Sequence, residues 1–313
     1  MADSGLVERL LAGNRRALAR VISKIERGDP ETREIISAIY PHTGNTMSVG
    51  FTGPPGVGKS SIISGLIQLY RKDEKQVGVI SVDPSSPFSK GAILGDRIRL
   101  SDHFLDSGVF IRSMGSRGHL GGLAGGSRLA ALAMEASGAD VVIYETVGVG
   151  QGEVEVASAA DLVVLCLQPG SGDAVQALKA GVMEIADIFC INKADRPQAK
   201  GAAAEVRSIL EIGHELDPDV PLPPIIMTRG DVGEGIRELK ETICEQWKHT
   251  KETGKLEKRR RSSLREFVVS LAKAHLEQEM HERLAKEDVD AMEKVYDREL
   301  DPLSAAERIF YEV

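Results

Sequence analysis

A glycine-rich segment early in the chain has the residue types that bind a chain of phosphates. Residues 53–60, Gly-Pro-Pro-Gly-Val-Gly-Lys-Ser, match the pattern G-x-x-x-x-G-K-[ST] in full, between a predicted strand and a predicted helix. In such a loop the glycines let backbone N–H groups face phosphate oxygens, the lysine reaches the β- and γ-phosphates, and the serine hydroxyl binds Mg²⁺. Lys59 is therefore the expected catalytic lysine and Ser60 a metal ligand. The predicted nucleotide contacts here are Gly53, Pro54, Pro55, Gly56, Val57, Gly58, Lys59, Ser60 and Ser61.

A second motif, Asn192-Lys193-Ala194-Asp195, closes an apolar segment far downstream. The carboxylate of Asp195 can accept hydrogen bonds from both N1–H and the 2-amino group of guanine, whereas adenine lacks these donors in that arrangement. The stem of Lys193 is expected to cover the base, and Asn192 is expected to tie this segment to the phosphate loop. Together the two motifs predict a site for GTP and GDP rather than for adenine nucleotides.

Composition and charge argue against several other classes of protein. The 313 residues include 47 acidic and 39 Lys or Arg side chains, for a formal net charge of −8, and 4% are aromatic. A general nucleic-acid binder would carry a basic face or stacking aromatics, so no nucleic-acid partner is expected. Cys166, Cys190 and Cys244 are far apart, and no Cys/His cluster indicates zinc. With no apolar leader and no run of about 20 apolar residues, we expect a cytoplasmic chain without a membrane partner.

The elements that must position the motifs are predicted from runs of apolar residues. Runs of this kind, apolar almost throughout, are typical of strands buried on both faces, hence of a parallel sheet covered by helices on both sides. The predicted fold is therefore α/β, a doubly wound and mainly parallel sheet that forms a phosphate-loop GTPase domain. The predicted strands are residues 47–52, 77–82, 109–113, 140–145, 162–168, 188–192 and 224–228.

Helical segments flank this sheet in sequence. Apolar residues recur every three or four positions across residues 4–40 and across a long amphipathic helix predicted from Leu264 to Leu284. We therefore divide the chain into an N-terminal helical extension (1–45), a GTPase domain (46–248) and a C-terminal helical arm (249–313). The apolar stripe of the arm is large enough to indicate an interface, so we expect a homodimer joined through it. The stripe includes Phe267, Val268, Leu271, Ala274, Leu276 and Met280.

Four further segments carry a family resemblance: residues 81–100, 114–128, 144–157 and 167–181. With the two motifs above, they resemble the MeaB/ArgK family of GTPases across nearly the whole chain; "VDPSSP", "ILGDRIR" and "ETVGVGQ" are specific to it. Members are similar to the methylmalonic aciduria type A protein, a chaperone of the B12-dependent enzyme methylmalonyl-CoA mutase. The family falls in the SIMIBI class of phosphate-loop GTPases. The resemblance implies a Mg²⁺-dependent GTPase that acts as a switch on such a mutase.

Acidic residues in these segments are candidate Mg²⁺ ligands. Asp83 ends a predicted strand, Asp96 lies in a glycine-flanked loop, and Glu145 ends another strand where a metal-site carboxylate is expected. We assign catalytic roles to Asp96 and Glu145 as well. The backbone N–H of Gly148 is expected to contact the γ-phosphate and report its loss. Val149 follows, where Ras-like GTPases have a catalytic glutamine; since an apolar side chain cannot orient water, slow basal hydrolysis is expected.

A third switch is expected in the segment GSGDAVQALKAG, through which the family links the nucleotide to the partner protein. Asp173, Gln176 and Lys179 recur there every three residues, so they share one side if the segment is helical. Lys179, or Arg99 in "GDRIR", is the candidate cation that stabilises charge on the γ-phosphate, as arginine fingers do. A solvated helix face is the alternative for Gln176 and Lys179. The expected stimulator of hydrolysis is methylmalonyl-CoA mutase or a related B12-dependent mutase.

The segment after the last predicted strand departs from the usual pattern. Many GTPases, this family included, close the base pocket with Ser-Ala, whereas this chain has Thr228-Arg229-Gly230. We still expect backbone N–H groups of this loop to reach the guanine. His103 and His119 have no partner at metal-ligand spacing and are expected to be satisfied or exposed. The basic run Lys258–Arg261 could meet an acidic partner, but a solvated helix start is the expectation.

These observations predict a GTP-hydrolysing switch that gates cofactor loading and protects a B12-dependent acyl-CoA mutase. Two other classes stay open. An ArgK-like kinase would need a base that activates the acceptor, and no H-R-D motif is present. Metal insertion into another metalloenzyme would normally require a His-rich tract or a Cys/His pair, and the sequence has neither.

Overall fold

Seven parallel strands form the centre of the protein. The computed structural model describes residues 4–83, 100–115, 122–146, 159–170, 182–216, 221–287 and 289–311. All neighbouring strands are parallel, in the order β3-β2-β4-β1-β5-β6-β7, so the predicted α/β fold is confirmed. The strands are β1 (Met47–Thr52), β2 (Val77–Asp83), β3 (Val109–Gly115), β4 (Val141–Thr146), β5 (Leu162–Leu167), β6 (Ile188–Ile191) and β7 (Ile225–Met227).

Helices cover both faces of the sheet and, in the described ranges, connect several of its strands. Short 3₁₀ turns at Tyr40–His42 and Ser101–His103 complete the described elements. The α-helices in the described ranges are α1 (Ser4–Leu11), α2 (Arg15–Arg27), α3 (Thr32–Ile39), α4 (Lys59–Lys72), α5 (Gly122–Ala136), α6 (Val182–Ile185), α7 (Ala199–Leu216), α8 (Ile236–Glu252), α9 (Lys255–Glu287), α10 (Val289–Tyr296) and α11 (Pro302–Tyr311).

The two faces of the central strands have separate cores. On one face, Leu66 of α4 and Leu239 of α8 are fully buried with strand residues such as Val49. On the other face, the N-terminal helices pack with α5, and Leu10 and Ile22 are fully buried there. The N-terminal helices therefore share a core with the sheet. The division of the chain into an N-terminal extension, a GTPase domain and a C-terminal arm, with boundaries after residues 45 and 248, stays a prediction.

Charged side chains attach α9 to the amino ends of the strands. Arg259 donates to both carboxylate oxygens of Asp187 at 2.9 and 2.8 Å. Arg260 donates to both carboxylate oxygens of Asp161 at 2.7 Å, and also to two backbone carbonyl oxygens before β1. Asp161 in turn accepts from the backbone N–H of Ser48, so it joins the start of β1 to α9. We call Arg259, Arg260, Asp161 and Asp187 the arginine clasp.

The arginine clasp corrects one expectation from sequence. The basic run Lys258–Arg261 was expected to be solvated, and this was wrong for Arg259 and Arg260, which are half-buried in ion pairs. The physical reason is that their partners lie 72 and 99 residues away in sequence and reach α9 only through the fold. Lys258 and Arg261 are exposed, as predicted.

The long helix α9 also packs partly against the rest of the chain. The helix predicted from Leu264 to Leu284 lies within it. Phe267 is buried in the core that contains the N-terminal helices, and Leu271 packs against that core. Val268 and Leu276 are exposed, with 58% and 48% of their surface accessible. The predicted stripe is thus covered in part by this chain itself.

No described helix combines the length and the apolar composition that crossing a bilayer would require.

Candidate nucleotide-binding site

The two sequence motifs meet at the carboxyl ends of the strands. The chain moves from β1 to one edge of the sheet through β2 and β3, and reaches the other edge through β5, β6 and β7. Loops that follow strands near such a reversal diverge and leave a crevice, which is where open α/β sheets bind ligands. The phosphate loop follows β1, and the Asn192–Asp195 motif follows β6.

The turn of the phosphate loop depends on glycine at two positions. Gly53 has a φ of 139°, and a Cβ there would lie 2.1 Å from the carbonyl oxygen of Cys166. Gly58 has a φ of 98°, and its Cβ would lie 2.3 Å from Nδ2 of Asn192. Both conformations disfavour any L side chain, and both contacts exclude a methyl group. Glycine therefore lets the loop approach β5 on one side and the second motif on the other.

Lys59 points back into the loop from the first turn of α4. The residue is buried, and its Nζ donates to the carbonyl oxygens of Gly53 at 2.6 Å and Pro54 at 3.0 Å. The same loop precedes the amino end of α4, where backbone N–H groups favour negative charge. Together they form a compact positive site for phosphate oxygens.

Beside the lysine, Ser60 and Glu145 form a pair of oxygen ligands. Ser60 Oγ donates to Glu145 Oε1 at 2.5 Å, and Ser81 Oγ donates to Glu145 Oε2 at 3.2 Å. Strand register explains the grouping, because Ser81 and Phe51 both lie level with Glu145 across β2, β4 and β1. Hydroxyl and carboxylate oxygens are ligands that Mg²⁺ prefers. These residues therefore fit a Mg²⁺ ion.

Ser81 is a site residue that the sequence analysis missed. It is buried and lies between the apolar residues Ile80 and Val82 in the interior of β2, a polar exception that could have drawn attention to it. Asp83, a predicted metal ligand, ends the same strand two residues further on. No group of three His, Cys, Asp or Glu residues suited to a metal occurs in the described ranges. This is compatible with Mg²⁺, which usually takes one or two protein carboxylates and completes its shell with phosphates and water.

The second motif is bonded directly to the phosphate loop. Asn192 is buried, and its Nδ2 donates to the carbonyl oxygen of Val57 at 2.7 Å. Lys193 adopts a positive φ of 57°, and its Nζ donates to the carbonyl oxygen of Gly56 at 2.7 Å and to Gln168 at 2.5 Å. The Asp195 side chain is about half exposed beside them. The structure thus places the residues predicted to read the base next to those predicted to bind phosphate.

The loop after β7 closes this side of the site. Thr228 Oγ1 and the backbone N–H of Gly230 both donate to Asn192 Oδ1, at 3.1 and 3.0 Å. The backbone N–H of Ala194 donates to the carbonyl oxygen of Thr228 at 3.0 Å. Between them, Arg229 lies 3.6 Å from Asp195. The departure from Ser-Ala therefore preserves a loop that packs on the second motif.

Several predicted site residues lie outside the described residues. They are Asp96, Arg99, Gly148, Asp173, Gln176 and Lys179, together with Val149 and His119. Of the two histidines considered as metal ligands, His103 is described. It is buried, its Nε2 lies 2.8 Å from Ser64 Oγ, and burial lowers its pKa. His103 is therefore a satisfied histidine, as expected.

Comparison with known proteins identifies the family. The model of the methylmalonyl-CoA mutase-associated GTPase MeaB matches residues 17–285 of this chain. The chain belongs to the MeaB family. Membership in this GTPase family implies that the protein binds GTP and GDP.

Relatives in the MeaB family match much of the chain. A GTPase of Pyrococcus horikoshii is 46% identical over 310 residues, which cover 98% of this chain and 97% of that protein. The GTPase ArgK of Escherichia coli is 43% identical over 193 residues, 60% of this chain and 58% of ArgK. A mitochondrial methylmalonic aciduria type A homologue of Caenorhabditis elegans is 33% identical over 283 residues, 84% of this chain and 70% of that protein.

A solved structure extends the match to the whole fold. The crystal structure of the LAO/AO transport system kinase superposes on this MeaB-family chain with a TM-score of 0.71 at 28% identity. The match covers 100% of this chain and 99% of the kinase.

Proposed function

We propose that this protein is a GTP-hydrolysing switch that gates cofactor loading and protects a B12-dependent acyl-CoA mutase, with methylmalonyl-CoA mutase as the partner. The observation that carries the proposal is the hydrogen bond from Asn192 to Val57, which joins the guanine motif to the phosphate loop. It occurs in a chain whose family is named for association with that mutase.

Each part of the site has a role in this proposal. The Asp195 carboxylate accepts from guanine, and the phosphate loop with Lys59 holds the β- and γ-phosphates. Ser60 and Glu145 would hold Mg²⁺, which when bound would neutralise charge that develops on the phosphates. The reaction is the attack of water on the γ-phosphate, which yields GDP and inorganic phosphate.

Slow turnover without a partner is part of the proposal. Val149 cannot orient the attacking water, so hydrolysis would depend on a group supplied when the partner binds. Asp96 and Arg99 are proposed near the phosphates, and the Asp173–Lys179 segment is proposed to connect the nucleotide to the mutase. Loss of the γ-phosphate would then be sensed at Gly148.

We also infer a homodimer through the exposed part of α9. Val268, Val269 and Leu276 are between 46% and 58% accessible on this helix. Apolar side chains grouped on one helix are typical of an interface. Light scattering on the full chain should report twice the mass of one chain, and a monomeric mass at micromolar concentration would contradict the dimer.

The test of the switch is its nucleotide-dependent binding to the mutase. Immobilised protein would be loaded with GDP or with a non-hydrolysable GTP analogue and exposed to purified methylmalonyl-CoA mutase. A ligand shifts an equilibrium only by its different affinity for the two states, so a switch must bind the mutase differently in the two forms. Equal capture in both forms would contradict a switch, and no capture in either would contradict this mutase as the partner. Purified citrate synthase, as an unrelated enzyme, serves as the control.

A further inference from the structure

Arg229 lies in the loop after β7, where this chain has Thr228-Arg229-Gly230 in place of Ser-Ala. Its backbone is held firmly, because its N–H donates to the carbonyl oxygen of Glu234 at 2.9 Å and the two residues form an antiparallel bridge. Gly235 closes the same loop with a φ of 75°, and a Cβ there would lie 2.2 Å from the carbonyl oxygen of Met227. The loop therefore presents the Arg229 side chain in a defined direction.

That direction is towards Asp195. Arg229 Nε lies 3.6 Å from Asp195 Oδ1, close enough for an ion pair but too far for a good hydrogen bond. The Nε atom is buried and has no hydrogen-bond partner among the residues that the structure describes. Nη1 lies 3.4 Å from Glu234 Oε2, so the guanidinium is situated between two carboxylates. A buried N–H without a partner is unfavourable, and a small movement of Asp195 would satisfy it.

We propose that Arg229 is a positioning residue for base recognition, which turns the Asp195 carboxylate towards the edge of the guanine; this rests on the proposed role of Asp195. A carboxylate has about four lone-pair sites for hydrogen bonds. Guanine uses two of them, through N1–H and the 2-amino group, and a third accepts from Arg229 Nε. Binding of guanine orders the carboxylate and shortens the Arg229–Asp195 contact to a hydrogen bond. Glu234 holds the other end of the guanidinium.

Arg229 could instead compete with guanine for the Asp195 carboxylate, which would have the opposite effect on nucleotide affinity. The guanidinium carries N–H donors arranged like the N1–H and 2-amino group of guanine. If Arg229 competed with the base for Asp195, its removal would strengthen nucleotide binding. The sign of the change in affinity therefore separates positioning from competition.

The experiment compares affinities for GDP, IDP and ADP by isothermal titration. IDP has the base hypoxanthine, which keeps N1–H and lacks the 2-amino group. We expect Arg229→Ala to weaken GDP binding about tenfold, the size of one hydrogen bond to a charged group. IDP binding should weaken only about twofold, since its single hydrogen bond to Asp195 depends less on the orientation of the carboxylate. Arg229→Lys should recover part of the loss. The matched control is Arg196→Ala, which removes an exposed arginine next to Asp195 and should change neither affinity.

Three results would overturn the inference. Equal losses of affinity for GDP and IDP would mean that Arg229 has a structural role only. Tighter GDP binding would mean that Arg229 competes with the base, and unchanged affinities would mean that it has no role in base recognition. Arg229→Ala is first checked for folding by its unfolding transition. If it does not fold, Arg229→Lys and Glu234→Gln carry the same test, with a smaller fall in the ratio of GDP affinity to IDP affinity. Failure of the proposed function looks different, because the unmodified protein would then bind ADP as tightly as GDP.

Discussion

The two ends of the strands use charged side chains in different ways. At the amino ends, the arginine clasp matches each arginine with a carboxylate of the same chain, at 2.7–2.9 Å. At the carboxyl ends, Lys59 and Lys193 donate to carbonyl oxygens of the phosphate loop, at 2.6–3.0 Å. A phosphate oxygen is a stronger acceptor than a neutral carbonyl. The comparison indicates that the amino ends hold α9 in place, whereas the carboxyl ends are suited to bind an anion.

The largest effect is expected for Lys59→Ala. Removal of the ammonium leaves the phosphates without their principal side-chain cation, so GTP hydrolysis should fall about 100- to 1,000-fold, the usual cost of losing one transition-state donor. Phosphate release under saturating GTP is the measurement. Lys72→Ala is the matched control, because Lys72 ends the same helix and is exposed. This variant should hydrolyse GTP at the normal rate. Near-normal release by Lys59→Ala would contradict the role of the phosphate loop.

The next largest effect is expected for Arg260→Ala, which should reduce the stability of the fold at the amino ends of the strands. Arg260→Ala leaves the carboxylate of Asp161, with 5% of its side chain exposed, without its arginine. Breaking such a pair should lower the free energy of unfolding by about 3 kcal/mol. Urea denaturation measures this change, and GDP affinity should stay within about twofold of normal because the clasp lies at the opposite ends of the strands.

Arg261→Ala is the control for that prediction. Arg261 is adjacent in sequence, but its pair with Glu257 is exposed, so its loss should cost less than about 0.5 kcal/mol. A large loss of GDP affinity in Arg260→Ala alone would show that the clasp is coupled to the phosphate loop through β1. The two ends would then not act separately.

The residues that meet at the carboxyl ends of the strands can be predicted from the sequence better than those that meet at the amino ends. The strands are mainly apolar runs, and the phosphate loop and Asn192–Asp195 are local motifs, so neither requires knowledge of distant contacts. The clasp could not be predicted, since Arg260 and Asp161 are 99 residues apart and become neighbours only in the folded sheet. Ser81 was missed for the same reason, because its role depends on register with Glu145. The contact of Arg229 with Asp195 likewise requires two loops to meet.

The smallest effect is expected at His103, which contacts α4 through Ser64. Burial lowers the pKa of His103 in the folded state, against the opposite influence of Asp102 and Asp106. The folded protein therefore favours the neutral ring, so this contribution to stability is complete above the unfolded pKa of about 6.5 and is lost as the pH falls below it. Urea unfolding between pH 7.5 and 5.5 should show a steeper loss for the unmodified protein than for His103→Gln. Equal slopes would contradict this account.

The most direct test of guanine recognition at the carboxyl ends is the nucleotide preference of Asp195→Asn. The substitution replaces an acceptor by a donor opposite the 2-position of the base, where xanthine carries a carbonyl oxygen. Isothermal titration of GTP and xanthosine triphosphate should show GTP weakened at least about tenfold and xanthosine triphosphate strengthened, because one set of hydrogen bonds is exchanged for another. Unchanged GTP affinity, with no gain for xanthosine triphosphate, would contradict the assignment of Asp195 to the base.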